Sequence, residues 1–379
     1  MKIAIIGANG FIGSRVVEQL QLGSEHAAVP VVRRPGALAR ALRFELEWKL
    51  ADATDPVALR EALRGCEAVV HAAANQGREI TRMPAALCTA AAAAGGVKRI
   101  VWLSCASVHG WAPEPGTNEH TPLHTSHESP DLNWRVAAEH AFFQHCERRG
   151  LSGIALRPGL VYGPRSPWFA RLARELREGR GWWFGDGRGV FNGIYVDNLV
   201  SAIFSALAAP VTAAGKPYLV GDEETITWRE FYLATTAIVG GSPRRIAAVT
   251  DLPEEKEKTR ARLRRLAENP GVRAMAPVLP KEMKRLAKFI LTSTPMPFDG
   301  WAPVAPPAPD VTRELVQQQQ CRWRFPHKRA ARALGFQAPV PLTAALRRSA
   351  AWLSFAEGET PRSDSSGATR PPIPSLPVS

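Results

Sequence analysis

The chain has 379 residues, 45% of them hydrophobic, which is enough to build a core and excludes a globally disordered polypeptide. Lysine and arginine number 48 against 35 aspartates and glutamates, a formal charge of +13, so an ionic partner is acidic: nucleic acid, an anionic membrane surface or a phosphate-bearing ligand. Five dispersed cysteines (Cys66, Cys88, Cys105, Cys146 and Cys321) contain no Cys-x-x-Cys pair, which argues against structural zinc and a disulfide framework and fits a reducing cytoplasm.

The start, Met1 to Gly7, does not read as a signal peptide, because its apolar run is short and breaks at a glycine-rich turn. No uninterrupted apolar stretch is long enough to span a bilayer. Ile3 to Ile6 is a short apolar run that predicts a buried parallel strand, and Ser14 to Leu22 carries helical periodicity. A second strand is predicted over Val29 to Val32, ending at Arg33-Arg34, and Asp52 falls near the end of a third. Further strands are expected at Glu67 to Ala72, Ile100 to Leu103 and Gly153 to Arg157, separated by helices over Pro84 to Ala94 and Leu132 to Arg149. Strand and helix alternate, so the predicted fold class is α/β: a doubly wound parallel Rossmann sheet with a smaller, mostly helical C-terminal substrate lobe. Residues 1–165 form the dinucleotide-binding domain and 166–355 the lobe, interleaved with the last Rossmann elements. Within that lobe, 252–325 reads as a variable helical and Pro-rich insertion. Leu252 to Thr292 predicts two basic helices, Pro295 to Pro309 and the Gln317–Gln320 run belong to a loop rather than a core, and 356–379 reads as a disordered tail.

Gly7-x-x-Gly10-x-x-Gly13 directly follows the first strand and opens the first helix. In that context the first glycine permits a tight turn, the second lets the backbone approach a pyrophosphate, and the third allows close packing of helix on sheet. The helix N-terminus then offers free N–H groups and partial positive charge to phosphates. The cofactor is therefore NADP or NAD. Arg33 and Arg34 stand where NAD-selective sites hold an acid, and two guanidinium groups there favour the 2′-phosphate of NADP; the alternative is a solvated basic turn. Asp52 is placed to accept from the adenine amino group, or serves as a loop cap.

Several further segments occur in order: Val69-Val70-His71-Ala72-Ala73, Gly96 to Val101, Leu103 to Gly110, Arg157-Pro158-Gly159-Leu160-Val161-Tyr162-Gly163-Pro164, Gly185-Asp186-Gly187, and Ile194 to Asn198. With the glycine loop, these resemble the extended short-chain dehydrogenase/reductases of the NAD-dependent epimerase/dehydratase family, over about residues 1–240 with an echo from Ala331 to Trp352. The resemblance implies that Gly7, Asn9, Gly10, Phe11, Ile12, Gly13, Ala72, Ala73 and Pro158 contact the dinucleotide. It also implies a small-molecule substrate, an alcohol, ketone or sugar nucleotide, and a homodimer formed through Pro84 to Ala94 and Leu132 to Arg149.

Family members move a hydride with a tyrosine as acid/base, a lysine four residues later and a nearby serine or threonine. Here the first tyrosine in the chain is Tyr162, and no lysine lies between Lys98 and Lys216. The tyrosine position falls at Asp131, the lysine position at Arg135 and the serine position at Cys105. Arg135 can bond ribose hydroxyls, but a guanidinium does not shuttle protons. Aspartate is a poor stand-in for a phenol unless burial raises its pKa. His109, on the expected substrate side, is an alternative acid/base. His120, His124 and His127 with Glu119 and Glu128 lie in a loop with no fixed metal-ligand spacing, so no metal is expected. Trp168, Trp182 and Trp183 read as lobe packing or a pocket wall, and Arg165 and Arg188 as candidate phosphate contacts. An enzyme with a remodelled acid/base group is favoured over a cofactor-holding scaffold or redox sensor, because the motifs of the substrate side persist. Residues 281–290 form a basic amphipathic stretch, read as a lid helix in preference to a peripheral membrane contact. Nucleic-acid binding rests on net charge alone and ranks low.

Overall fold

A computed structural model describes residues 1–23, 25–38, 44–73, 77–251 and 310–358. Its centre is a seven-stranded sheet assembled by parallel crossovers. In chain order the strands are β1 (Lys2–Ile6), β2 (Ala27–Val32), β3 (Lys49–Leu50), β4 (Ala68–His71), β5 (Arg99–Leu103), β6 (Gly153–Pro158) and, after three short strands of the lobe, β10 (Lys216–Val220). Their spatial order is β3-β2-β1-β4-β5-β6-β10, every pair parallel. The order reverses at β1, so a crevice opens at the carboxyl ends of β1 and β4, where ligands bind in doubly wound sheets.

The strands form because they are buried on both faces and read as continuous Val/Ile/Ala/Leu runs. On one face, α1 (Phe11–Gly23), α6 (Val196–Ala208) and α9 (Lys328–Leu334) close a core around Ile3, Ile5, Val16, Leu20, Leu199 and Ile203. On the other, α2 (Pro56–Ala62), α3 (Met83–Ala94) and α4 (Pro130–Arg148) cover Ile6, Val69, Leu87, Ile100 and Phe142. The helix starts follow local chemistry. The Asp55 carboxylate accepts from the amides of Val57 and Ala58 ahead of α2. Ser166 caps α5 (Pro167–Arg177), and Thr227 with Glu230 forms a capping box on α7 (Trp228–Val239). Gly335, in the left-handed region at φ 71°, ends α9 before α10 (Leu342–Ala356).

The lobe contains two small parallel ribbons: β7 (Leu160–Tyr162) with β9 (Gly193–Tyr195), and β8 (Trp182–Phe184) with β11 (Ala247–Val249). Its core is aromatic. Trp182 and Trp183 are buried there with Phe169, Phe191 and Phe231, and Trp168 packs against them, so these tryptophans belong to lobe packing. The polar run Gln317–Gln320 departs from expectation: it ends a helix, α8 (Arg313–Gln320). Leu315, Val316 and Gln319 share one buried face, and the Gln319 carbonyl oxygen accepts from the Phe184 amide at 2.6 Å. A glutamine enters a core when its amide is satisfied there, which polarity alone does not reveal. The two basic helices, the Pro-rich stretch and the tail fall at 252–309 and 359–379, outside the described residues. Among the described residues, no helix is long and apolar enough to cross a membrane.

Sheet and lobe meet at Asp222, just past β10. Its buried carboxylate accepts from Tyr162 Oη at 2.7 Å, from the Tyr195 amide at 3.0 Å and from Asn198 Nδ2 at 2.7 Å. Asn198 in turn exchanges two hydrogen bonds with the backbone of Val340, each 2.9 Å. Burial pushes the Asp222 carboxyl up to about 6, against the opposing pull of Asn198, Tyr195 and Tyr162. A carboxyl raised in the folded state favours folding below its unfolded pKa, and that contribution is lost as pH rises through about 6. In urea melts, wild-type stability relative to Asp222→Asn should therefore fall by roughly 2 kcal/mol between pH 4 and pH 7. A pH-independent difference would place the titration elsewhere.

Candidate functional site

The glycine loop is shaped by contacts that leave no room for side chains at two of its three glycines. Gly7 has φ 82°, and a Cβ there would lie 2.7 Å from Ala73 Cα. A Cβ on Gly13 would lie 2.2 Å from the Gly7 carbonyl oxygen. Gly10 differs: the nearest atom to an added Cβ is the Gly7 oxygen at 3.2 Å, so its missing side chain leaves an open face. Ala72 holds the neighbouring strand end in place through its amide, 2.9 Å from the Ile6 oxygen. Asn9 and Gly10 are exposed, while Ile12 packs on the sheet core and Phe11 on the lobe. The first amides of α1 therefore sit at an open loop flanked by Ala72 and Ala73, a cradle with donors and partial positive charge for a pyrophosphate. These residues fit a dinucleotide.

Arg33 and Arg34 are exposed immediately after β2. Asp52 lies within the electrostatic reach of Arg33, and its Oδ1 already accepts from the Thr54 amide and hydroxyl at 2.8 and 2.7 Å. Those Thr54 bonds, then Arg33, hold the Asp52 carboxyl below the usual carboxylate range.

Beyond the end of β5, Cys105 comes close to Arg135 of α4, which is paired there with Asp131. Asp131 and Arg135 are one turn apart on α4, and Arg135 Nε donates to Asp131 Oδ2 at 2.7 Å. The same guanidinium is within hydrogen-bonding reach of the Cys105 sulfur. Burial acts to lower the Arg135 pKa, but Cys105 and Asp131 outweigh it and the net shift is upward, so this cation is permanent. Ser107, which the sequence did not single out, donates its hydroxyl to Cys105 Sγ at 3.0 Å.

His109 lies apart from this group. Its Nε2 is 3.0 Å from Arg157 Nη1, and Arg157 is locked to Glu139 on α4 through Nε and Nη2. Arg157 and Glu139 are 3% and 1% exposed, so the pair is sealed from water. Burial, then the Arg157 charge, pushes the His109 imidazole down to about 3. At neutral pH the ring is therefore neutral and accepts the guanidinium proton. The loop acids and histidines divide among different partners: Glu119 accepts from the Leu219 amide, His120 meets Arg329, and the His124 ring is tilted against His127 with centroids 4.4 Å apart. Arg165 pairs with Glu18, and Arg188 with Asp186.

A cavity of about 180 Å³ begins at Cys105, Ser107 and Pro158 and runs between Leu160, Val161, Val190, Trp228 and Phe325. Two close approaches set its walls. A Cβ on Gly159 would lie 2.2 Å from the Asn192 oxygen, and one on Gly189 would lie 1.7 Å from the Gln319 oxygen. Asn192 pins the segment after α8 across the top, donating to the Trp323 oxygen at 2.9 Å and accepting from the Phe325 amide at 3.0 Å. The sequence marks Pro158 and Gly159 but gives no signal for this strap, which arrives from more than 120 residues away.

A family model, NAD dependent epimerase/dehydratase family, matches residues 3–221. The chain belongs to this family. A 2-alkyl-3-oxoalkanoate reductase of Stenotrophomonas maltophilia is 29% identical over 257 residues, which cover 63% of this chain and 76% of the relative. A protein of the same name from Shewanella oneidensis is 27% identical over 248 residues, 59% of this chain and 62% of the relative. Among solved structures, the dTDP-glucose 4,6-dehydratase DesIV of Streptomyces venezuelae, with NAD bound, superposes with a TM-score of 0.66 at 19% identity, covering 94% of this chain and 98% of that one. That likeness is one of fold.

Glu139→Gln should expose the strength of the buried pair. It leaves the Arg157 guanidinium buried without its counter-charge, which should cost about 3–5 kcal/mol in chemical denaturation. A loss under 1 kcal/mol would mean that water reaches Arg157.

Proposed function

We propose that this protein is an NAD(P)-dependent oxidoreductase that interconverts a small ketone and its alcohol, with Cys105, Ser107, Asp131 and Arg135 in place of the family's serine, tyrosine and lysine. The observation that carries this reading is a shared sheet edge. The glycine loop follows β1, Ala72–Ala73 follow β4, Cys105 follows β5 and Pro158 ends β6, neighbours in that order at the carboxyl edge, and the last two line the cavity. The names of the two bacterial relatives, both reductases of 3-oxo acids, support it.

Gly7, Asn9, Gly10, Phe11, Ile12 and Gly13 would hold the pyrophosphate, Arg33, Arg34 and Asp52 the adenosine end, and Pro158 the nicotinamide side. A nicotinamide bound there supplies or accepts the hydride at carbon. In the reducing direction the carbonyl oxygen also gains a proton. Asp131 is ion-paired with Arg135, so the proton is assigned elsewhere. The Ser107 hydroxyl and Cys105 thiol, hydrogen-bonded to each other, are the proton-bearing groups at the mouth of the cavity. Arg135 orients ribose and substrate oxygens, with Asp131 as its anchor. His109, neutral and engaged by Arg157, shapes the loop. The Arg33–Arg34 pair supports NADP over NAD, because two guanidinium groups complement a 2′-phosphate.

A second reading is a dinucleotide-holding scaffold or sensor. One observation favours it: the residue at the tyrosine position is an ion-paired carboxylate.

Calorimetric titration with NADPH, NADP, NADH and NAD tests both readings, with Gly10→Asp as control. Tight binding is expected, lost in Gly10→Asp and reduced about tenfold or more for the phosphorylated forms in Arg33→Ala/Arg34→Ala. Turnover of NADPH with a ketone should then fall at least tenfold in Cys105→Ala/Ser107→Ala. Binding without turnover on any ketone would favour the scaffold; binding of none of the four dinucleotides would remove both readings.

A further inference from the structure

We infer that the cavity beside Cys105 takes the hydrocarbon flank of a ketone or its alcohol and rejects the diphosphate of a nucleotide sugar; this rests on the oxidoreductase reading of the same site.

The walls are apolar. Leu160 and Val161 come from β7, Val190 from the turn before β9, Trp228 from the start of α7 and Phe325 from the strap, with Trp111 closing the side toward the β5 loop. Two polar side chains of the wall hold it together. Asn192 spends both ends of its amide on the strap, and the Trp228 indole N–H donates to the Gln318 oxygen at 3.1 Å. A diphosphate placed here would lose water without gaining donors from these residues, the costly case for a charged group. An alkyl or aryl group loses nothing by the same transfer, and each methylene buried there is worth about fourfold in affinity.

Apart from Arg135, which is paired with Asp131 at the Cys105 end, the described arginines near the site are engaged elsewhere. Arg157 is sealed against Glu139, and Arg165 and Arg188 are paired with acids. Arg324, on the neighbouring side of the strap, donates to the backbone oxygens of Asp222 and Glu223. At the mouth, the hydrogen-bonded Cys105 and Ser107 side chains meet a carbonyl or hydroxyl oxygen.

The test is a tryptophan-fluorescence titration of the full chain, with and without cofactor, using 2-butanone, 2-hexanone and 2-octanone, with UDP-glucose as competitor. Affinity is expected to rise two- to fourfold per methylene, with 2-octanone undisturbed by millimolar UDP-glucose. Val190→Thr, nearly isosteric but bearing a hydroxyl, should weaken 2-octanone by about threefold or more and leave dinucleotide affinity unchanged. A flat chain-length series, no ketone binding, displacement by UDP-glucose, or ketone affinity indifferent to Val190→Thr would each overturn the inference. A chain that binds no dinucleotide but keeps the ketone series would remove the oxidoreductase reading and leave the cavity's selectivity standing.

Discussion

The geometry of the site depends on one buried carboxylate. Asp222 stands where the last strand of the sheet runs out and the lobe begins, and three donors from β7, β9 and α6 converge on it. Donors in such a place must be satisfied, because an unpaired buried N–H or O–H forfeits its hydration. Two carboxylate oxygens satisfy all three, and in doing so they fix the β7–β9 ribbon relative to β10. Asn198 extends the tie to Val340, so the C-terminal helices are aligned by the same group. Pro158 to Val161 is then carried out over the sheet edge and faces Cys105 across a cavity.

Backbone contact does the remaining positioning. Gly13 lies against Gly7, Gly159 against Asn192 and Gly189 against Gln319, each at a separation that a single added carbon would break. The first contact shapes the dinucleotide cradle; the other two shape the substrate side. Local turn requirements explain Gly7, with its positive φ. Gly13 and Gly159 are demanded by their neighbours' atoms.

Electrostatics then sorts the candidate acid/base groups. Asp131 and Arg135 form an ion pair one turn apart on α4. His109 is buried beside a guanidinium that is itself locked to Glu139, and its ring stays neutral. The Ser107 hydroxyl donates to Cys105 Sγ at the mouth of the cavity. The permanent cation of Arg135 thus stands beside an O–H donor carried on a different element.

The parallel sheet, its order of strands and helices and the glycine cradle were legible in the amino-acid sequence, because they rest on local properties: apolar runs of strand length, helical periodicity, and glycines at a turn between the two. That no tyrosine precedes Tyr162 and no lysine lies between Lys98 and Lys216 was legible too, since it needs only the positions of those residues along the chain. What Cys105, Asp131, Arg135 and His109 meet was decided by the tertiary structure. Nothing near His109 in sequence announces Arg157 and Glu139, and nothing near Cys105 announces Arg135. The strap at 321–325 and the burial of Gln319 were equally hidden, because both depend on acceptors and donors contributed from distant segments. Periodicity records which face of an element is apolar. It does not record which distant group will meet a buried polar atom, and in this protein those meetings define the site.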